Sequence, residues 1–517
     1  MPVMNGAQSL IRTLIASEVD VCFMNPGTSE MHFVAALDDV PEMRPVLALY
    51  EGVVTGAADG YARMVDRPAA TLLHLGPGLT NGLSNIHNAR RALTPMVNIV
   101  GDHATYHKVH DAPLNSDIEG LASPLSDWVH VSRRAENVAA DAALAVHVAR
   151  RPPGQIATLI LPADASWGEA RGPASPLLAL PRAVPVSSHI DMIAQVLRSR
   201  QGCALLLGTP ALREAGLRAA SRIGKHTNAK LLCDTFVGRL QRGAGRPAVP
   251  RLNYFAEMAA ADLENVKHLV LVGTKSPAAF FAYPGKPSSL VRDDTTVHVL
   301  AATSDDVIAA LEQLADAVGA PATAYDEVAL ERPAAPSGAL SSVAIGAAIG
   351  AHLPEHAIVV DEGNTEGIYT FFHTQGAPPH DWLFNTGGSI GLGLPCAVGA
   401  AVGCPDRKVV CLEGDGSAMY TIQALWTMAR ENLDVTTVVF SNRSYRILNI
   451  ELTRVGATGA GERAKSMLDL TKPDLDFVAM ARGMGVDAVR PDSAEAFTRE
   501  FQRAMSERGP RLIECVI

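Results

Sequence analysis

The feature that most limits how this chain can fold is a rhythm. Short β-rich apolar runs, each breaking into Gly, Pro, Asp or Asn, recur with helix-length segments between them. "DVCFMNPG", "AATLLHLGPG", "MVNIVGDH" and "QIATLILPAD" set the pattern in the first third, and "CALLLGTPA" and "HLVLVGTKSP" continue it. "HAIVVDEGNT", "RKVVCLEGDGS", "VTTVVFSN" and "PRLIECVI" carry it to the end. Runs that are apolar throughout belong to strands covered on both faces, and strand–helix alternation belongs to parallel sheets. The expected fold class is therefore α/β, with three doubly wound parallel-sheet domains. A length of 517 residues exceeds what one core organises. The proline-rich stretches "GPASPLLALPRAVPV" and "VGAPATAYDEVALERPAAPSGALS" read as linkers. They divide the chain into 1–171, 187–320 and 338–517.

Charge and composition narrow the partners. A net charge of −10, spread along the chain, argues against nucleic acid or an anionic membrane. No apolar run reaches membrane-spanning length, and the start "MPVMNGAQSLIRTLIASEVD" lacks a basic leader region. The seven cysteines show no CxxC spacing and sit mostly in apolar runs. Buried thiols in a reducing compartment are expected, which makes the location cytoplasmic.

The stretch "LEGDGSAMYTIQALWTMARENLDVTTVVFSN" is the most informative. A buried strand breaks into Gly414-Asp415-Gly416-Ser417, a helix from about Met419 to Glu431 crosses back, and the next strand delivers Asn442. Ligands in open α/β sheets collect outside the carboxyl ends of strands. Asp415 and Asn442 then offer two hard oxygens at neighbouring strand ends, with the Ser444 carbonyl as a third, a set that suits Mg²⁺ shared with a diphosphate. A bare Gly-Asp-Gly also occurs in ordinary βαβ turns, and the strand-end Asn after the crossover is what adds weight.

This stretch resembles the thiamin-diphosphate motif, and the similarity runs over nearly the whole chain. It is similar to benzoylformate decarboxylase and, almost equally, to acetolactate synthase. The resemblance implies pyrimidine-binding, central and diphosphate-binding domains in that order. It implies that Asp415, Asn442 and Ser444 hold Mg²⁺, that Gly414, Gly416 and Ser417 approach the diphosphate, and that Asn364, Thr365 and Tyr445 line the same cofactor site. Where the family pattern has Asn-Asn, this chain has Ser441-Asn442, which keeps the metal-binding Asn.

"RPVLALYEGVVTGAADGYAR" places Glu51 between a strand and a helix of small residues. Taken alone, it reads better as an exposed first-turn Glu favoured by the helix dipole. The family match implies instead the glutamate that activates the cofactor's aminopyrimidine. In "FNTGGSIGLGLP", Gly388 matches a carbonyl that accepts from the 4′-amino group, and Ile390 matches the wedge that bends the cofactor. The same segment also suits Gly-rich helix-to-sheet packing. His74, at a strand end before a Gly-Pro-Gly turn, aligns with an active-site histidine of benzoylformate decarboxylase. Thr28 in "NPGTSEMHF" aligns with its substrate-facing serine.

The match departs in places. Asp102 replaces a family glutamine, and His103, His107 and His110 crowd the loop after it. The decarboxylase's second histidine falls at about Phe280, and the synthase's acceptor-selecting tryptophan falls at Glu451. Ile447 and Glu451 are expected to shape the substrate pocket, with His103 and Phe280. The middle segment lacks the arginine-containing pattern expected near a flavin, which argues against FAD. The expected activity is that of a thiamin-diphosphate- and Mg²⁺-dependent enzyme on a 2-oxo acid or ketone. Non-oxidative decarboxylation through a thiamin-bound enamine leads. Carboligation of the acetolactate-synthase kind or aldehyde lyase chemistry is the alternative, and a non-catalytic cofactor-binding homologue the remote one. The family also implies Glu51 and Asp415 from different subunits at one site, hence at least a homodimer and by expectation a homotetramer.

Overall fold

In a computed structural model describing residues 4–457 and 459–517, the rhythm becomes three largely parallel sheets. The first holds β1 (Val21–Asn25), β2 (Arg44–Leu47), β3 (Ala69–Leu73), β4 (Met96–Asp102), β5 (Trp128–Val131) and β6 (Ile156–Pro162), in the order β2-β1-β3-β4-β6-β5. β3, β4 and β6 are buried at every residue, as strands covered on both faces must be.

The middle segment supplies β7 (Cys203–Leu207), β8 (Lys230–Cys233), β9 (Leu240–Arg242), β10 (His268–Val272) and β11 (Thr296–Ala301). Four of these form the parallel sheet β8-β7-β10-β11. The fifth leaves: β9 pairs antiparallel with a strand of the third sheet, Leu240 opposite Trp382. That sheet comprises β12 (Ile358–Glu362), β13 (His380–Phe384), β14 (Val409–Gly414), β15 (Val435–Ser441), β16 (Asp487–Val489) and β17 (Arg511–Val516), in the order β9-β13-β12-β14-β15-β17-β16.

The principal helices are α1 (Glu51–Val65) and α2 (Leu75–Ala92) of the first segment, α3 (Val307–Val318) of the middle one, and α4 (Asn364–His373) and α5 (Gly393–Gly403) of the third, and α1 against α5 joins the first segment to the third. α1 and α5 are rich in Gly and Ala because they touch backbone to backbone. A Cβ at Gly60 would lie 2.1 Å from the Cys396 carbonyl oxygen, and one at Gly399 would lie 1.8 Å from that of Ala57. One apolar core accordingly runs from Phe23 and Val54 through Ala397 to Val435.

Two local expectations change. The crossover helix expected from about Met419 to Glu431 is split into Asp415–Ala418 and α6 (Ala424–Arg430). Between them Thr421 Oγ1 turns aside to donate to the Gly391 carbonyl at 3.0 Å. The Gly-Pro-Gly after His74 is no free turn but the first turn of α2, where a proline's missing N–H costs nothing. The last element used below is α7 (Arg446–Arg454).

Candidate active site

The diphosphate end is built by strand register. β14 and β15 pair in parallel with Gly414 opposite Phe440, so Asp415 and Asn442 leave the sheet side by side. Asp415 is 3% exposed. Its Oδ1 accepts from Gly416 N at 2.8 Å and its Oδ2 from Arg443 N, while burial pushes its pKa up against those donors. Asn442 Oδ1 accepts from Ser444 N at 3.1 Å, and Asn442 Nδ2 lies 3.4 Å from Glu366 Oε1. Glu366 also accepts from Arg446 Nη1 at 2.6 Å. A Cβ on Gly416 would fall 2.4 Å from the Tyr445 ring, so only glycine fits beneath that tyrosine. Ser417 Oγ donates within the turn to the Gly414 carbonyl at 3.1 Å and lies 3.2 Å from Glu413 Oε2. Asn364 opens α4 with φ +50°, its amide nitrogen 3.4 Å from where a Gly414 Cβ would be, and Thr365 follows. These are hard oxygens around a turn of small residues, the donor chemistry that Mg²⁺ and a diphosphate require.

The loop from Asn385 to Leu392 runs beside this turn. Gly388 has φ +76°, and a Cβ there would meet nothing within 4 Å, so the position faces open space. Ile390 stands half-buried next to it. Beneath the loop, fully buried Glu362 accepts from Gly391 N, from Gly393 N at 2.7 Å and from Asn385 Nδ2 at 2.7 Å. Burial lifts Glu362 to about 7, and burial and then the nearby charge of Glu362 lift Glu413 well above the carboxylate range.

The first sheet contributes a second group. Glu51 begins α1 and is 7% exposed. His74 caps α2, and its Nδ1 lies 2.8 Å from Oε2 of Glu30, a carboxylate only 3% exposed. Glu30 also accepts from Gly27 N at 2.7 Å and Ser29 Oγ at 2.8 Å. Thr28 is exposed at the start of the same turn. Asn85 ties the halves within one chain: its Nδ2 donates to the carbonyls of Gly52 at 2.7 Å and Gly391 at 3.1 Å. Asn88 Nδ2 donates to the Ser389 carbonyl at 2.8 Å. Glu51 and the Gly388 loop are thus held on α2.

The proposed pocket residues scatter more. His103, His107 and His110 lie tilted against one another, ring centroids 5.4 and 5.7 Å apart and planes 54° apart, and among the described residues no group of three or more His, Cys, Asp and Glu is arranged to hold a metal. Asp102 is buried and pairs with Lys108 at 2.5 Å. Phe280, 48% exposed, packs on Phe236 and Tyr254. Ile447 is half-buried on α7. Glu451 accepts from Tyr283 Oη at 2.7 Å beside Arg454, and so joins α7 to the middle segment. Sequence reasoning missed Glu30, Asn81, Glu362 and Glu366. Each makes its telling contact with a residue far along the chain: Glu30 with His74 44 residues away, Asn81 with Glu51 30 away, Glu362 with Gly391 29 away and Glu366 with Arg446 80 away.

Comparison with known proteins decides what this geometry belongs to. Residues 4–122 match the thiamine pyrophosphate enzyme N-terminal TPP binding domain, and residues 361–515 match the C-terminal TPP binding domain. The chain belongs to the thiamine pyrophosphate enzyme family. Within this thiamine enzyme family it is 56% identical over 515 residues, 99% of each chain, to a Mycobacterium tuberculosis protein provisionally named acetolactate synthase large subunit IlvX. It is 29% identical over 530 residues, 95% of each chain, to a Pseudomonas aeruginosa benzoylformate decarboxylase. Its fold matches the thiamine diphosphate-dependent 4-hydroxybenzoylformate decarboxylase of Rhodococcus jostii, with TM-score 0.87, 24% identity, and coverage of 99% of this chain and 98% of that one. Both matched segments contain a half of the site described above.

Proposed function

We propose that this chain is a thiamin-diphosphate- and Mg²⁺-dependent enzyme of 2-oxo acids, with non-oxidative decarboxylation as its leading reaction. The observation that carries the reading is the strand register that brings Asp415 and Asn442 out side by side at neighbouring strand ends, with the loop of Gly388 and Ile390 next to them. Thiamin diphosphate, when bound, supplies the carbanion chemistry at the substrate carbonyl. The chain's own residues do the rest. Asp415, Asn442 and the Ser444 carbonyl hold the metal, with Gly414, Gly416, Ser417, Asn364, Thr365 and Tyr445 around the diphosphate. The Gly388 carbonyl and Ile390 set the ring's position, and Glu51 exchanges a proton with it. Thr28 offers a hydroxyl to the substrate carboxylate. His74, oriented by Glu30, moves a proton to and from the reacting carbon.

Carboligation is the second reading, favoured by the 56% identity to the protein named as an acetolactate synthase large subunit. We also propose that residues 1–171, 187–320 and 338–517 act as pyrimidine, central and diphosphate domains. The working unit is at least a homodimer, a homotetramer by preference, in the cytoplasm, where seven free cysteines suit a reducing medium. No helix among the described residues is long and apolar enough to cross a membrane. The test is CO₂ release from a panel of 2-oxo acids by cofactor-loaded protein, with and without an aldehyde acceptor, and with and without a chelator. Release without acceptor supports decarboxylation, and product only with acceptor supports carboligation. No turnover of any 2-oxo acid would refute both.

A further inference from the structure

The loop from Asn385 to Leu392 joins β13 to α5 and carries the two groups assigned to the cofactor ring, the Gly388 carbonyl and Ile390. Its backbone is sharply bent. Gly388 at φ +76° and Gly391 at φ +94° bracket Ser389 and Ile390, both glycines lying in the left-handed region. Backbone N–H groups turned to one side in this way form a concavity that attracts an anion. Here the anion is the chain's own. Glu362, the last residue of β12 and 1% exposed, puts its carboxylate there. Its Oε1 accepts from Asn385 Nδ2 at 2.7 Å and from Gly391 N at 3.1 Å. Its Oε2 accepts from Gly393 N at 2.7 Å and from Gly391 N at 3.2 Å.

Asn385 passes this anchoring on to Gly388. Its Nδ2 also donates to the Ser389 carbonyl at 2.8 Å, and its Oδ1 accepts from Gly388 N at 3.0 Å. The peptide between Gly388 and Ser389 is thus gripped on both flanks. The N–H of that peptide, on Ser389, donates to Asn88 Oδ1 of α2 at 3.2 Å. In a planar trans peptide the carbonyl points opposite to the N–H, so the Gly388 carbonyl faces away from Asn88.

The donor set calls for a carboxylate. Glutamine has one acceptor oxygen, and its NH₂ group would face an N–H on the other side. The titratable groups packed near Glu362 are Glu413 and Cys411 on β14 and Cys396 on α5, and they bring no positive charge. The neutral donors of the loop are what hold the carboxylate in place.

We propose that Glu362 is the positioning residue for the cofactor ring. Through Asn385 and the N–H groups of Gly391 and Gly393, it fixes the Gly388 carbonyl and Ile390 where the ring needs them. This role rests on the thiamin diphosphate reading and divides the labour within it. Asp415 and Asn442 serve the diphosphate end, and Glu362 serves the ring end, its carboxylate bonded to the loop and not to the metal oxygens.

The experiment is calorimetric titration of the full-length protein in saturating Mg²⁺. One titrant is thiamin diphosphate, and the other is inorganic pyrophosphate, which has the diphosphate and no ring. The parent should bind thiamin diphosphate more tightly. Glu362→Gln should weaken thiamin diphosphate by about tenfold or more, as stranding a buried donor does, and leave pyrophosphate within about twofold. Asn385→Ala keeps the carboxylate and cuts its link to Gly388, and should shift the two ligands in the same unequal way. If Glu362→Gln fails to fold, Asn385→Ala decides alone. Equal losses for both ligands would make Glu362 a structural residue of the whole site and overturn the proposal. Unchanged thiamin diphosphate binding in either folded variant would overturn it as well. A parent that binds neither ligand overturns the thiamin diphosphate reading and this role with it, a failure visible before any substitution is made.

Discussion

Asn81 Nδ2 donates to Glu51 Oε2 at 3.0 Å, from the helix α2 to the first residue of α1. The other carboxylate oxygen faces Gly78, where a Cβ would approach it to 3.3 Å. One oxygen is thereby fixed and the other kept clear. Glu51→Gln preserves the shape and the contact with Asn81 but cannot exchange the proton. We expect kcat to fall by about 100-fold or more, the usual worth of a positioned acid–base group, with cofactor affinity kept. Asn81→Ala should cost roughly tenfold, because it loosens the carboxylate without removing it. Steady-state kinetics beside a fluorescence titration of thiamin diphosphate separates the two effects. Equal activity of Glu51→Gln and the parent would remove Glu51 from the mechanism.

The same physical argument applies to Glu30. Its carboxylate is enclosed by Gly27 N, Ser29 Oγ and His74 Nδ1. Glu30→Ala strands these donors in a buried place, at a cost of about 1–3 kcal/mol in urea unfolding. It also frees the His74 ring to turn. If Glu30 acts through His74, kcat should fall with either Glu30→Gln or His74→Ala, and the double variant should be no worse than His74→Ala alone. Additive losses in this cycle would separate the two residues.

How much of this was legible in the sequence follows from how local each signal is. The strands announced themselves because burial on both faces makes them apolar throughout, as in "TLLHLG" and "KVVCLEG". Asp415 and Asn442 were legible because the register of two adjacent parallel strands brings their ends together without further information. Glu362 was not legible, since its task is to collect N–H groups of Gly391 and Gly393 about thirty residues later. β9 was also hidden: three residues of the middle segment pair with the third sheet, and only tertiary contact with β13 makes them a strand. The break in the crossover helix depends on Thr421 meeting Gly391, again a distant partner.

The contact of α1 with α5 is the seam between the first and third segments, and at Gly60 and Gly399 backbone leaves no room for a side chain. Gly399→Ala places a methyl 1.8 Å from the Ala57 carbonyl oxygen, and backbone cannot swing aside as a side chain would. The helices must part, at a cost of about 1–3 kcal/mol or more. Since α1 carries Glu51 at one end, we expect lower activity together with a lower unfolding midpoint. Gly459→Ala, where a Cβ would meet nothing within 4 Å, is the control and should change neither.

His380 sets a pH dependence of stability. It is fully buried on β13, with Nδ1 2.7 Å from the Pro378 carbonyl. Burial, and then the charge of Arg242, push its pKa down to about 3 from an ordinary 6.5. Between those values the unfolded chain takes up a proton that the folded chain refuses. The stability from keeping this ring neutral is whole above pH 6.5 and declines as pH falls toward 3, by up to about 1.4 kcal/mol per unit. Other groups titrate in this range, so the informative quantity is a difference. His380→Asn retains a donor for Pro378, and its stability should fall less steeply with acid than the parent's in denaturant titrations at pH 7, 6 and 5. Parallel slopes would show that His380 takes up its proton normally.

The last prediction concerns the cofactor end. If Asp415 and Asn442 hold a metal that in turn holds a diphosphate, thiamin diphosphate and Mg²⁺ must stabilise the folded protein together and not separately. Ligand at about a hundred times its Kd adds about 2.7 kcal/mol to the unfolding free energy, and a chelator should withdraw that gain. Asn442→Ala is the discriminating variant. It deletes a metal oxygen and leaves no buried charge unpaired, whereas replacing Asp415 would strand the Arg443 and Gly416 N–H groups. We therefore expect Asn442→Ala to unfold near the parent without cofactor, yet to show little of the parent's cofactor-dependent rise in thermal unfolding. Chelator-resistant stabilisation by thiamin diphosphate, or a full rise in Asn442→Ala, would mean that the diphosphate is held without a metal on these two strand ends.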